Sequence, residues 1–429
     1  MMGFVVCGGT RSTDASFVTR RTVTHAGSVR TLEARGFRQA SKKRVQPTSH
    51  TSTRISCALA RFSTSDFQIL RQCGQQGYYE VTEWEYYQKR DPTQPQRTVE
   101  SSGVSVRLYE AKITVGPRRN SRVLLKEFLP QGLELAVNEA KIYERLYDLT
   151  QDSMSELPVA TLLGSFKGSG FSTAEFQKKW AGSFPSAGKV PDEGSPWLVF
   201  RWEGTRTLAN LRNYKQTQNY LDFVFPDLAF RRKKLFLIKL ISEALEAVGF
   251  LHDRGIVHRS LGPASLLVNT LDETTPTLFD CKVRDLGFAQ QLSELDDQSL
   301  RLAREKGAVS PEALTRFFQN DDLKALGYSF LEIIFSFLSD EPGESTPQAE
   351  SANQETFKRL FEDVYEYDLG QFRSYCEAEP RWKMGIRLLD ENNGAGWSFV
   401  QNLICAGSMG PDSFKPASQL RKEHPFFKD

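Results

Sequence analysis

The sequence lacks the features that mark a membrane-spanning or disulfide-stabilised protein. Its 429 residues contain no run of about 20 uncharged apolar residues, the length that a transmembrane helix needs. The best apolar run, 328–338, is too short and includes a glutamate. The six cysteines are scattered without the close spacing of metal ligands, which favours free thiols in a reducing compartment. We therefore predict no transmembrane segment, although peripheral contact with a membrane surface needs none.

Acidic residues are scarce at the start of the chain. Residues 1–65 hold 11 Lys/Arg, only two acids and 19 Ser/Thr, whereas residues 66–429 hold 44 Lys/Arg and 51 Asp/Glu. A basic, hydroxyl-rich start without an apolar core resembles an organelle transit peptide. Residues 55–58 (Ile-Ser-Cys-Ala) resemble a chloroplast cleavage signature, so we predict a disordered transit peptide over 1–57, for a plastid rather than a mitochondrion. The acidic remainder argues against a nucleic-acid partner.

Strands dominate the first half of the remaining chain and helices the second half. Aromatic and β-branched residues predict strands over 67–72, 78–87, 104–114, 123–128 and 197–202. Apolar residues at helical spacing predict helices over 134–147 and 234–252. The Gly/Ser-rich segment 164–196 predicts a surface insertion, and the polar, acidic segment 339–356 a flexible loop. This order predicts an α+β fold with two lobes.

Three charged residues stand on faces that should be apolar. Lys126 shares a strand face with two apolar neighbours, Glu139 lies on the buried stripe of its helix, and Asp285 ends an alternating apolar strand. A lone buried charge costs several kcal/mol unless it is paired or bound to a metal. We therefore expect Lys126 to pair with Glu139, and Asp285 to face a cation.

The order of these residues and their neighbours resembles that of protein kinases. Val123–Lys126 is similar to the V-A-I-K strand, Glu139 to the glutamate of the following helix, and Asp285–Gly287 to the D-F-G motif. Further resemblances follow in the same order, at residues 198–204 (the strand entering the hinge), 258–263 (the catalytic loop), 310–312 (A-P-E), 322 and 327 (D-x-W-x-x-G) and 424–427 (the last helix). The resemblance covers residues 67–427. It implies a bilobal fold, with a small β-rich N-lobe over 62–200 and a larger helical C-lobe over 201–429.

The resemblance assigns roles to the catalytic loop but leaves the decisive position without a carboxylate. His258 and Arg259 match the family, whereas Ser260 occupies the position of the aspartate that orients and deprotonates the acceptor hydroxyl. A family lysine that contacts the γ-phosphate is replaced by Gly262, and the metal-binding asparagine by Ser265. Loss of a general base alone costs roughly 10²- to 10⁴-fold in rate.

The phosphate-binding loop is also degraded, and two positions compete for it. Gly74 and Gly77 begin a partial G-x-G-x-x-G pattern, and Gly103 precedes a second candidate strand. Backbone amides approach phosphates closely only where side chains are small. The resemblance still implies that Lys126 and Glu139 could hold ATP, with Asp285 and Ser265 as ligands of Mg²⁺.

Two functions remain open at this point. The first is a plastid pseudokinase that acts as a scaffold or allosteric regulator of a protein partner. The second is an active, atypical Ser/Thr kinase in which Asp253 or Asp280 replaces the missing base. Transfer of another group, such as a nucleotidyl group, is a third reading that no residue demands.

Overall fold

The computed structural model describes residues 59–77, 104–149, 156–184, 189–213, 224–339, 354–408 and 414–428. All of them belong to one compact unit, 55–429. The predicted transit peptide 1–57, the predicted strand 78–87 and Gly103 lie outside the described residues, as does most of the segment 339–356.

A six-stranded sheet forms the first half of this unit, in the order β1-β5-β6-β4-β3-β2. Its strands are β1 (Ala60–Arg61), β2 (Phe67–Gly77), β3 (Val104–Ile113), β4 (Arg122–Phe128), β5 (Leu162–Lys167) and β6 (Pro196–Arg201). All neighbours pair antiparallel except β1 and β5, which are parallel. The observed bounds agree with the predicted strands 104–114, 123–128 and 197–202 to within one residue at each end.

Helices dominate the second half, with short two-stranded pairs between them. The helices are α1 (Leu133–Asp148), α2 (Ala174–Ser183), α3 (Pro226–His252), α4 (Asp297–Glu305), α5 (Pro311–Phe337), α6 (Gln354–Lys358), α7 (Leu369–Glu377), α8 (Lys383–Ile404, interrupted at 391–394) and α9 (Ala417–Glu423). The short strands are β7 (Ile256–Val257), β8 (Leu266–Val268), β9 (Cys281–Val283) and β10 (Gln290–Gln291). The architecture is mixed α+β, which is compatible with a kinase-like fold.

One face of the sheet packs on α1 and continues into the helical core. Leu108 and Phe128 from the sheet share a buried cluster with Ile142 of α1. The same cluster includes most of the apolar residues of α3 and α5. This continuity fixes α1, and therefore Glu139, against the strand that carries Lys126.

The other face of the sheet is covered by the segment 164–196, which was expected to be a surface insertion. This segment contains part of β5 and all of α2, whose N-terminus is capped by the Thr173 hydroxyl. Trp180 of α2 is buried and packs edge-on against Tyr109. Beneath it, the fully buried carboxylate of Glu127 accepts hydrogen bonds from Tyr109 and from the backbone of Asp192. The apolar side of α2 is therefore used within the chain.

Candidate active site

Lys126 is the centre of a buried charge cluster, as the strand pattern predicts. It lies on β4 with its side chain 3% exposed, and its Nζ donates to both carboxylate oxygens of Glu139 at 2.9 and 2.7 Å. The same Nζ donates to Asp285 Oδ1 at 2.8 Å. The predicted pairing of Lys126 with Glu139 is confirmed. Because the ammonium is shared, the strand, the helix α1 and the D-L-G segment meet at one atom.

Glu139 is held by the attachment of α1 to the D-L-G segment. The neighbouring Asn138 donates to the carbonyls of Gly287 and Ala289, both at 2.8 Å. Burial raises the pKa of Glu139 more than the ammonium of Lys126 lowers it, and the nearby charge of Asp285 adds to the increase. The cluster is therefore sensitive to the removal of its cation.

Asp285 adopts the left-handed backbone conformation, with φ 63° and ψ 52°, which is uncommon for a residue other than glycine. Its carboxylate accepts from Lys126, and from Gln76 Nε2 at 3.0 Å, and lies 3.3 Å from the guanidinium of Arg284. Burial alone would raise the pKa of Asp285, but Lys126 and Arg284 outweigh it and hold the pKa well below its ordinary value. Asp285 faces two cations, and it is ionised at neutral pH.

Asp322 of α5 anchors the segment that resembles the catalytic loop. The Asp322 carboxylate accepts from the backbone N–H groups of His258 and Arg259 at 2.7 and 2.8 Å, and from His252 Nε2 at 3.0 Å. Burial alone would raise the pKa of Asp322, but these donors hold it below its ordinary value. Arg259 adopts a positive φ of 63°, and Ser260, the next residue, is exposed.

Ser260 and Ser265 lie beside the D-L-G segment. His258 Nε2 donates to the carbonyl of Arg284 at 2.9 Å, and the backbone N–H of Arg284 donates to the carbonyl of Ser265. The Ser265 hydroxyl donates to the carbonyl oxygen of Ser260 at 3.1 Å. The structure thus brings the predicted catalytic-loop residues next to Asp285, while their chemical roles stay predictions.

Of the two candidate phosphate-binding segments, the structure describes Gly74 and Gly77. Gly74 and Gly77 lie on β2, which pairs antiparallel with β3, and Gly77 is the register partner of Val104. Gly103 immediately precedes β3 and lies outside the described residues. Which of the two segments would bind phosphates therefore stays a prediction.

A narrow cleft separates the charge cluster from apolar walls. Its lining comprises Leu108, Leu124, Lys126, Glu139, Ala160, Phe200, Arg201, Glu203, Gly204, Leu267, Arg284 and Asp285. The free cavity volume is about 20 Å³, which is room for about one water molecule. Leu124 stands where the V-A-I-K pattern has alanine, so a larger side chain occupies this wall. Neither Asp253 nor Asp280, the suggested replacement bases, lines this cleft.

Sequence reasoning missed a second charge cluster at the far end of this cleft. Glu203 Oε1 accepts from Lys282 at 2.8 Å, from Arg201 at 2.5 Å and from the Thr161 hydroxyl at 3.1 Å. The side chains of Glu203 and Lys282 are only 10% and 9% exposed. Lys282 alternates with the apolar Cys281 and Val283 of β9, so the strand pattern indicated an exposed lysine and not a buried one.

A more spacious cavity, of about 450 Å³, lies between α3, α9 and the residues before β5. Its lining includes Pro158, Phe250, Asp253, Arg254 and Arg421. Asp253 belongs to this cavity, where its carboxylate accepts from the Ser418 hydroxyl at 3.1 Å. No predicted catalytic-loop or D-L-G residue is among its described lining residues.

Neither a preformed metal cluster nor a membrane-spanning helix is found in the described ranges. No group of three or more His, Cys, Asp or Glu side chains there is arranged to hold a metal ion. Likewise, no helix of that part of the chain has the length and apolar character to cross a membrane. Asp285 is therefore the one predicted metal ligand here that carries a charge, since Ser265 offers only a hydroxyl.

The chain is similar to serine/threonine protein kinases at low identity. It is 24% identical over 267 residues to "Serine/threonine-protein kinase STN8, chloroplastic" of Arabidopsis thaliana, covering 55% of this chain and 49% of that protein. It is 27% identical over 170 residues to "Calcium/calmodulin-dependent protein kinase type 1" of Caenorhabditis elegans (39% of each chain), and 26% over 191 residues to that of Caenorhabditis briggsae (44% and 43%). The chain thus spans less than half the length of these relatives. No family model matches it. These similarities support the kinase superfamily.

Proposed function

We propose that this chain is a bilobal, protein-kinase-like regulator of a plastid whose phosphoryl transfer is strongly impaired, and which acts by binding a protein partner. The observation that carries the proposal is Ser260, an exposed hydroxyl at the position of the acceptor base. A serine hydroxyl is no base near neutral pH, so the acceptor would not be deprotonated. The chloroplastic relative supports the plastid location, as does the basic start of the chain.

The state of Asp285 supports the same proposal. To ligate Mg²⁺, its carboxylate would have to exchange donors from Lys126, Arg284 and Gln76 for the metal ion. With Glu139, the two cations and two carboxylates of this cluster sum to zero net charge. A neutral, fully hydrogen-bonded cluster attracts a cation less strongly than a free carboxylate does.

An active, atypical Ser/Thr kinase using ATP and Mg²⁺ is the second candidate. One observation favours it: Lys126, Glu139 and Asp285 are already assembled within hydrogen-bond distance. The relatives' names as protein kinases also fit this activity. This candidate requires a base that the described cleft lining does not provide beyond Glu139, Glu203 and Asp285, all of which are engaged.

Phosphoryl transfer by the purified full-length chain separates the two candidates. We expect transfer from radiolabelled ATP to casein, measured at ATP concentrations high enough to overcome weak nucleotide binding, to be at background, and to rise at least tenfold when the family residues are restored by Ser260→Asp, Gly262→Lys and Ser265→Asn together. The Lys126→Met form of the restored variant is the matched control and should return to background. Ordinary kinase rates in the wild type, abolished by Lys126→Met alone, would instead establish the active kinase.

A further inference from the structure

The apolar end of the cleft is where a nucleoside would have to bind. The cations that could receive phosphates, Lys126 and Arg284, lie at the D-L-G end. Leu267, an apolar wall suited to a flat base, is the register partner of Lys282 and therefore lies at the Glu203 end of the cleft. Sites for small molecules have volumes of about 300–1,000 Å³, whereas the free volume here is about 20 Å³. The cleft as a whole therefore has too little free volume for a nucleoside.

A buried ion pair closes this end. Glu203 follows β6 and lines the cleft, and Lys282 lies on β9 outside the lining, so their 2.8 Å contact ties this wall of the cleft to β9. Arg201 holds the same carboxylate oxygen from the β6 side. Three donors thus converge on Oε1 of one carboxylate, and this fixes Glu203 across the apolar walls.

The closed arrangement is only weakly favoured. Among the described residues, the second oxygen of Glu203, Oε2, is buried without a hydrogen-bond partner. An unpaired buried carboxylate oxygen carries a desolvation cost that offsets part of the attraction within the pair. Loss of the Lys282 charge would remove one of the three donors that offset this cost, and would favour an open state.

We propose that the Glu203–Lys282 ion pair, backed by Leu124, keeps the base-binding end of the cleft closed to nucleosides, and that breaking this pair opens it. The inference rests on the proposed function in one respect, since it takes this cleft as the kinase-like nucleotide site. It adds that nucleotide binding is governed by the chain's own side chains at the base end, and not only by the altered catalytic loop.

Titration of the full-length protein with the fluorescent nucleotide MANT-ADP, followed by displacement with adenosine, tests the proposal. Lys282→Met removes the charge and keeps the aliphatic stem, and we expect it to bind at least tenfold more tightly than the wild type. Lys282→Arg retains the ion pair and should bind as weakly as the wild type. Lys179→Met, at an exposed position of α2, is the matched control and should also leave affinity unchanged.

Leu124→Ala provides a second route if Lys282→Met fails to fold, as judged by circular dichroism. It enlarges the same end of the cleft without removing a charge, and we expect this variant to bind MANT-ADP at least tenfold more tightly than the wild type does. Wild-type affinity equal to that of Lys282→Met, or no gain in either folded variant, would overturn the proposal. Tight MANT-ADP binding by a wild type that leaves casein unphosphorylated would overturn this inference alone, whereas phosphorylation of casein would overturn the proposed function as well, so the two failures are distinguishable.

Discussion

At the scale of single residues, the stability and the geometry of the charge cluster depend on the shared ammonium of Lys126. Lys126 neutralises two carboxylates on different elements, and its side chain is almost completely buried. Buried charges stabilise one another, and water cannot replace a partner that is lost. Removal of the Lys126 cation should therefore lower the free energy of unfolding about ten times as much as removal of an exposed lysine does.

Lys126→Met should lower the free energy of unfolding by about 3–5 kcal/mol at pH 7, because it leaves Glu139 and Asp285 close together with fewer donors. Urea denaturation followed by tryptophan fluorescence measures the change. The matched control is Lys112→Met, an exposed position on β3, which should change stability by no more than about 0.5 kcal/mol. Equal stability of the two variants would show that Lys126 does not support the cluster.

At the scale of elements, the packing of α2 shows what the segment 164–196 does. Phe176 and Trp180 are four residues apart on α2 and stack on each other with ring centroids 5.7 Å apart. They cover the aromatic face of the sheet around Tyr109 and Trp197. This segment is thus part of the core, and it offers a partner only its polar side.

Trp180→Ala should destabilise the protein by about 3–5 kcal/mol, the usual cost of removing a large buried aromatic side chain. Thermal unfolding monitored by circular dichroism is the appropriate measurement. Lys178→Ala, on the exposed side of the same helix, should have little effect. A transition unchanged by Trp180→Ala would mean that α2 is not needed to cover the sheet.

The elements that could be predicted from the sequence are those whose hydrophobic pattern agrees with their burial in the structure. Strand alternation at Lys126 and helical spacing at Glu139 pointed both charges inward, and burial then required them to pair. The ion pair of Glu203 with Lys282 could not be predicted, because it joins residues far apart in the chain. Helix α2 was missed because the Gly/Ser-rich flanks hid the spacing of two aromatic residues.

At the scale of the whole molecule, Asp322 links the helical core to the predicted catalytic loop. It accepts from two backbone N–H groups and from His252 while almost fully buried. Since its pKa is lowered in the folded state, its contribution to stability is present above its unfolded pKa of about 3.9. That contribution is lost as the pH falls through the folded pKa.

Asp322→Asn should therefore destabilise the protein by about 3 kcal/mol at pH 7, and by progressively less as the pH is lowered below about 4. Urea unfolding of both proteins between pH 7 and pH 3 tests this. The neighbouring Asp321, whose pKa is raised by burial and by the adjacent Asp322, is the control: Asp321→Asn should not lower stability at pH 7. A pH-independent loss in Asp322→Asn would contradict the role of its charge.

The pairing of Gly77 with Val104 has a consequence for how the chain can vary. Strand β2 ends at Gly77 and β3 begins at Val104, so the paired strands bring together the two positions that the sequence 78–103 connects. The entropy of closing such a loop grows slowly with its length, by about 0.6 kcal/mol for each doubling. We expect insertions and deletions within 78–103 to leave the sheet intact, whereas a change at Gln76, which donates to Asp285, would act on the charge cluster directly.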